Sequence, residues 1–197
     1  MKMNKLLTIA LVGVLGCGVF ACTQSPVAPA QEKVEEGSAH AGEGIMLTNL
    51  SHDEAVQKTG LNLIAPEGAT DVHYSVIEPD SDNPTIEMNF TLNGKDMYVR
   101  AQSTALLPPK DPTNKEELEK YNISGLKLEW NQMSSCDVSY SQGFAFINNA
   151  NKAGYISWLD VVPGVLYSLG MEHDADIDTL QQTANLIFAP VKGNGDC

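Results

Sequence analysis

The stretch PTIEMNFTLNGKDMYVRAQST (84–104) constrains the fold more than any other part of the chain. Asn93-Gly94 at its centre is a strong hairpin signal, because a type I′ turn needs positive φ at both central residues. Counting outward from that turn opposes Leu92 to Lys95, Phe90 to Met97, Met88 to Val99 and Ile86 to Ala101. The last three pairs share a face, as a side-chain period of two demands, and that face is a core face. On the other face Glu87 opposes Arg100, a cross-strand pair worth roughly a few tenths of a kcal/mol if it is exposed.

A two-stranded hairpin is at best marginally stable alone, so further strands must continue the sheet. VHYSVIEP (72–79), LKLEWNQM (126–133), CDVSYS (136–141), GFAFINN (143–149), AGYISWLD (153–160) and VLYSLGM (165–171) all read as strands. With the hairpin they predict about eight short strands at hairpin spacing, an antiparallel meander. Two helices accompany them. SHDEAVQKTG (51–60) carries a Ser51–Glu54 capping box and a closing glycine. In DIDTLQQTANLIF (176–188), Asp178 and Gln181 read as a capping-box variant, and Leu180, Ala184, Ile187 and Phe188 form the apolar stripe. The fold class expected is α+β: a curved antiparallel sheet with a short N-terminal and a C-terminal helix packed on it. Between the hairpin and the later strands, LLPPKDPTNKEELEKYN (106–122) holds three prolines and a short helical stretch near Glu116–Tyr121, the natural place for a lid, an edge cover or mere surface decoration.

The start of the chain has a different character. MKMNK precedes an uncharged apolar run, Leu6 to Ala21, too short for the ~20 residues of a spanning helix and suited to a cleaved secretory signal. Val19-Phe20-Ala21-Cys22 resembles the bacterial lipobox, with an apolar residue at −3 and a small one at −1. That resemblance implies cleavage after residue 21 and acylation, including palmitate, of Cys22. Phe20 is bulkier than the usual residue there, and Val14-Leu15-Gly16-Cys17 is a rival with a shorter apolar run before it. The organisation expected is a signal peptide at 1–21, an acylated cysteine and disordered Pro/Ala/Glu/Gly tether at 22–44, one domain at 45–190 and a tail at 191–197. The address is the cell membrane or outer membrane, on its extracytoplasmic side.

Loss of residues 1–21 leaves ten basic residues against 25 acidic ones, a net charge of −15. Such a surface repels nucleic acid and anionic headgroups, so attachment rests on the acyl chains. Cys136 and Cys197 remain besides Cys22; in an oxidising compartment they pair most simply as one disulfide.

Chemistry is harder to find. GMEHDADIDTL (170–180) packs Glu172, Asp174, Asp176 and Asp178 close together, dense enough in oxygen to suggest Ca²⁺. The EF-hand pattern fails there, with Thr179 at the glycine position and Asn185 at the glutamate position, and acids before a helix also suit its dipole. Otherwise no cofactor is implied. The histidines at 40, 52, 73 and 173 lack metal-ligand spacing, and no nucleophile elbow or Cys/His arrangement is present. Aromatic residues concentrate in the later strands: Trp130, Phe144 and Phe146 read as core, the face of Tyr155 stays open, and an aromatic concave face suited to an apolar ligand or a peptide is the functional alternative to simple packing.

IAPEGATDVHYSVIE, ISG (123–125), ISWLDVVPGVLYSLGM and the closing helix resemble a bacterial family of extracytoplasmic domains of unknown function. Its members occur as lipoproteins and as the outer parts of membrane-bound, anti-sigma-factor-like regulators. Trp158, Gly164, Tyr167, Ser168 and Leu169 stand where that family has a Trp-bearing strand, a turn and a Tyr-Ser-Leu strand. The resemblance spans Ile64 to Ala189 and implies a fold and no catalytic residues. The functional expectation is a monomeric, non-enzymatic lipoprotein that binds an envelope protein or small ligand, or senses envelope state; the alternative is an envelope hydrolase with an unrecognised carboxylate site.

Overall fold

The computed structural model describes residues 44–188 apart from Leu128. Cys17, Cys22, Cys197 and the proposed signal, tether and tail lie outside the described residues. Eight strands form one antiparallel sheet: β1 (Met46–Leu50), β2 (Thr70–Ile77), β3 (Thr85–Leu92), β4 (Lys95–Ser103), β5 (Gln132–Val138), β6 (Ser141–Asn148), β7 (Ala153–Asp160) and β8 (Val165–Met171). Their spatial order is β1-β2-β3-β4-β8-β7-β6-β5. Each set of four runs as a meander, and the long connection after β4 carries the chain to the far edge, so that β8 returns to pair with β4. Helices α1 (His52–Thr59), α2 (Lys115–Leu118) and α3 (Ile177–Ile187) complete the α+β architecture, and a 3₁₀ turn at Glu119–Tyr121 follows α2.

The β3–β4 hairpin has the register that its turn dictates, from Leu92 opposite Lys95 to Ile86 opposite Ala101. Asn93 and Gly94 both take positive φ, 54° and 74°. Helix α1 begins at Ser51, whose hydroxyl and backbone complete a capping box with Glu54, and stops at Gly60 in the left-handed region.

Four details differ from expectation. LKLEWNQM is strand only at its end. Leu126 and Trp130 pack half-buried against Phe144, Phe146 and Tyr155, so the alternation of this run serves a covering segment instead of a ladder. CDVSYS is divided, with Val138 ending β5 and Ser139-Tyr140 making the turn into β6. The strand Met46–Leu50, which sequence reading left unassigned, restores the number to eight. Helix α3 is capped by Asp176, not Asp178: its carboxylate accepts from the Thr179 amide at 2.7 Å.

The two faces bury different chemistry. One is hydrocarbon: Val76, Ile86, Met88, Val99, Ile156 and Leu169 meet Ala55 of α1 and Leu180 and Ala184 of α3. Opposite it lie smaller clusters, Phe144, Phe146 and Tyr155 against Leu118, and Leu159 and Leu166 against Tyr121. Between them runs a row of polar residues in register, Glu87–Arg100–Ser168–Ser157. The Glu87–Arg100 pair is therefore buried, not exposed: Arg100 Nε donates to Glu87 Oε2 at 2.7 Å, with the side chains 6% and 0% exposed.

That polar row fastens the long connection to the sheet. Arg100 donates to the Ile123 carbonyl at 3.2 Å. The hydroxyls of Ser157 and Ser168 lie 2.6 Å apart, and Ser168 Oγ donates to the Tyr121 carbonyl while accepting from the Ile123 amide. Tyr98 stacks its ring over Gly170, directly across the β4–β8 ladder, where any Cβ would overlap it.

Candidate ligand cavity

The connection leaves one part of its face uncovered. Pro108 and Pro109 stand over the ends of β6 and β7 and roof a cavity of about 250 Å³ whose walls include Tyr121, Phe144, Ser157 and Leu159. Proline suits a roof of this kind because its fixed φ lets a segment cross a sheet without joining its ladder. Tyr121 holds the roof down through a hydrogen bond from its hydroxyl to the Leu107 carbonyl. The floor is apolar, and its Ser157 hydroxyl is already bonded to Ser168.

Tyr140 and Asp160 border this cavity and also a second hollow of about 400 Å³, whose walls include Ile64, Glu67, Tyr167, Leu186 and Phe188. Tyr140 sits in the β5–β6 turn and Asp160 ends β7, and the phenol donates to Asp160 Oδ2 at 3.1 Å. Asp160 is only 7% exposed, and among the described residues its Oδ1 has no hydrogen-bond partner; the indole nitrogen of Trp158, two residues earlier on the same face of β7, has none there either. Unpaired buried polar atoms are costly, so each is a place where a ligand group gains. Around Asp160 the rings are contiguous. Trp158 stacks on Tyr167 with centroids 5.2 Å apart, and Phe188 meets Tyr140 at 5.1 Å and Tyr167 at 5.6 Å. Burial pushes the Tyr167 phenol up to about 12, with the Asp160 charge and Tyr140 adding to the shift. Tyr140 is raised by desolvation, by its hydrogen bond to Asp160 and by that carboxylate's charge.

Six of the seven exposed large apolar residues among the described ones gather here, while Ile45 stands apart just before β1. The seven are Ile45, Ile64, Leu107, Tyr140, Val161, Val162 and Leu186. Tyr140, Val161 and Val162 border the first cavity, Ile64, Tyr140 and Leu186 the second, and Leu107 adjoins the proline roof. Val162 is 93% exposed. Single apolar residues on a surface are ordinary, whereas a collection of them around hollows is the arrangement that contact sites present.

The acidic run is spread along the turn before α3 and its first helical turn. Asp178 is exposed in the first turn of α3, Glu172 is half-buried, and Asp174 is an exposed residue in the left-handed region. Asp176 caps the helix and pairs with Lys95 at 3.0 Å. The same ammonium donates to the Asp174 carbonyl and the Thr179 hydroxyl, so the chain's own cation occupies the centre of this oxygen-rich turn. Among the described residues no group of three or more His, Cys, Asp or Glu is arranged to hold a metal ion. Cys136 is half-buried in β5, its thiol pushed up to about 11 by burial and by Asp137; the partner expected for it, Cys197, lies outside the described residues.

The aromatic residues do not share a face. Phe144, Phe146 and Tyr155 lie under α2, Trp158 and Tyr167 lie beside α3, and Trp130 is half-buried in the covering segment. The sequence offers the proline-rich connection as a lid, an edge cover or surface decoration, and gives no sign of Tyr140 and Asp160 as a pair. Their twenty-residue separation hides a contact that the β6–β7 hairpin creates. Val161-Val162, two apolar residues in a turn, is the signal that was legible in the sequence.

No protein-family model matches this chain, and no curated protein or solved structure matches it significantly.

Proposed function

We propose that this chain is a lipid-anchored, extracytoplasmic binding module that is not an enzyme, and that its domain receives a small, largely apolar ligand beneath the Pro108-Pro109 roof. The observation that carries the reading is the gathering of exposed apolar residues around the two hollows that share Tyr140 and Asp160. Ligand sites are concave and mostly apolar with a few placed polar groups, and volumes of roughly 300–1,000 Å³ accommodate drug-sized molecules. At about 250 Å³ the roofed cavity suits something smaller. The lipobox-like Val19-Phe20-Ala21-Cys22, the tether composition and the resemblance to extracytoplasmic lipoprotein domains support the anchored address.

Two measurements test this. Cys22→Ser should abolish palmitate labelling and membrane partitioning; unchanged partitioning overturns the anchor. Titration of isotopically labelled domain with benzyl alcohol should shift the Trp158 indole and the Val161 and Val162 methyl resonances while leaving Trp130 in place, and Val162→Asp should weaken the effect. Absent or uniform shifts overturn the cavity assignment. The hydrolase alternative draws on the Asp160 carboxylate at the cavity wall; turnover of an ester, glycoside or peptide substrate that disappears in Asp160→Asn would favour it.

A further inference from the structure

Resting on the cavity assignment above, we infer that the ligand is a small organic cation, a protonated amine on an apolar or aromatic body, whose ammonium is received by Asp160. Three independent observations converge on this chemistry. First, Asp160 is more than nine-tenths buried at the wall common to both hollows, and among the described residues nothing donates a hydrogen bond to its Oδ1. A carboxylate oxygen is an acceptor only, so what completes it must donate, and a charged donor bonds about twice as strongly as a neutral one.

Second, the sign of the surroundings is uniform. Among the described residues, none bordering either hollow is a lysine, arginine or histidine, and Glu67 adds a second carboxylate to the open one. Lys95, the cation that settles the acidic run before α3, is committed there to Asp176 and Thr179. A low-dielectric wall of one sign focuses attraction for the opposite charge, and the chain's acidic balance works in the same direction.

Third, the carboxylate stands among rings. Tyr140 touches it, and Tyr167 and Phe188 close the cluster. An ammonium beside an acid and near aromatic faces gains from the ring quadrupoles as well as from the charge. The apolar body then lies beneath the proline roof against Phe144 and Leu159, where the Ser157 hydroxyl is already bonded to Ser168.

The experiment compares benzylammonium, benzyl alcohol and benzoate on the full mature chain, read by isothermal titration and by the Trp158 indole resonance. Benzylammonium should bind roughly ten- to a hundredfold more tightly than the alcohol, the range that a hydrogen bond to a charged group supports, and benzoate should bind least. In Asp160→Asn that preference should vanish while benzyl alcohol still binds, which also certifies a folded cavity. Equal binding of ammonium and alcohol to the unaltered chain, or an intact preference in Asp160→Asn, overturns the cation assignment and leaves the cavity assignment standing. If none of the three probes binds or moves the Trp158 signal, both fall together.

Discussion

The face of the sheet beneath α1 and α3 and the face beneath the 104–131 connection are built from the same strands, yet they are closed by opposite means. On the helical face, hydrocarbon from seven strands meets amphipathic stripes, and the attraction is non-directional and proportional to the area buried. On the other face the cover is irregular chain. Its peptide groups need partners, and the sheet supplies them through the Glu87–Arg100–Ser168–Ser157 row. Directional closure holds only where the donors and acceptors stand. Past Ser157 the row ends, the two prolines bring no amide hydrogens to bond, and the cavity opens there.

The largest effect should come from breaking the polar row. Glu87→Ala or Arg100→Met removes one charge of the buried pair and should cost about 3–5 kcal/mol in urea unfolding, while Glu87→Leu combined with Arg100→Met should recover much of that loss. Single variants costing no more than a surface pair would show that the connection is held by its apolar contacts alone. Next comes Gly170→Ala, which pushes a methyl group into the Tyr98 ring and should cost roughly 1–3 kcal/mol by overpacking. An unchanged unfolding midpoint would mean that this face yields more readily than its packing implies.

On the helical face Asp176→Ala removes the α3 cap and its bond to Lys95, with an expected loss of about 1 kcal/mol, typical of a lost N-cap. No change would leave α3 anchored by its apolar stripe alone. Smallest at neutral pH is the tyrosine effect. Burial raises Tyr98, Tyr155 and Tyr167, so the folded state keeps protons that the unfolded chain releases above about pH 10. Stability should be unaffected below that value and fall as pH rises beyond it, and Tyr155→Phe should flatten the fall. An identical alkaline profile in Tyr155→Phe would place the sensitive group elsewhere.

How much could be read in advance depended on how local each cause was. The β3–β4 register follows from two residues at a turn, and the start and stop of α1 from Ser51, Glu54 and Gly60, because those interactions close within four residues. The α3 cap was misread by two positions, since Asp176 and Asp178 both stand before an apolar stripe and only the Lys95 contact and backbone conformation separate them. LKLEWNQM has a strand's alternation, but the same alternation lets Leu126 and Trp130 lie down on Phe146 as a cover. The candidate site was least legible: Tyr140 and Asp160 carry no motif and meet only because β6 and β7 pair.

Composition, turn chemistry and side-chain period by themselves determined an antiparallel α+β sheet, the β3–β4 register and the two caps of α1, because each of those choices is settled by neighbours a few residues away. Which strand β4 pairs with beyond the hairpin, that Glu87 and Arg100 are dry, and that a buried acid stands among rings at the mouth of a cavity were decided by tertiary structure. Burial and long-range pairing depend on what the distant chain brings to the same place, and no local period records that.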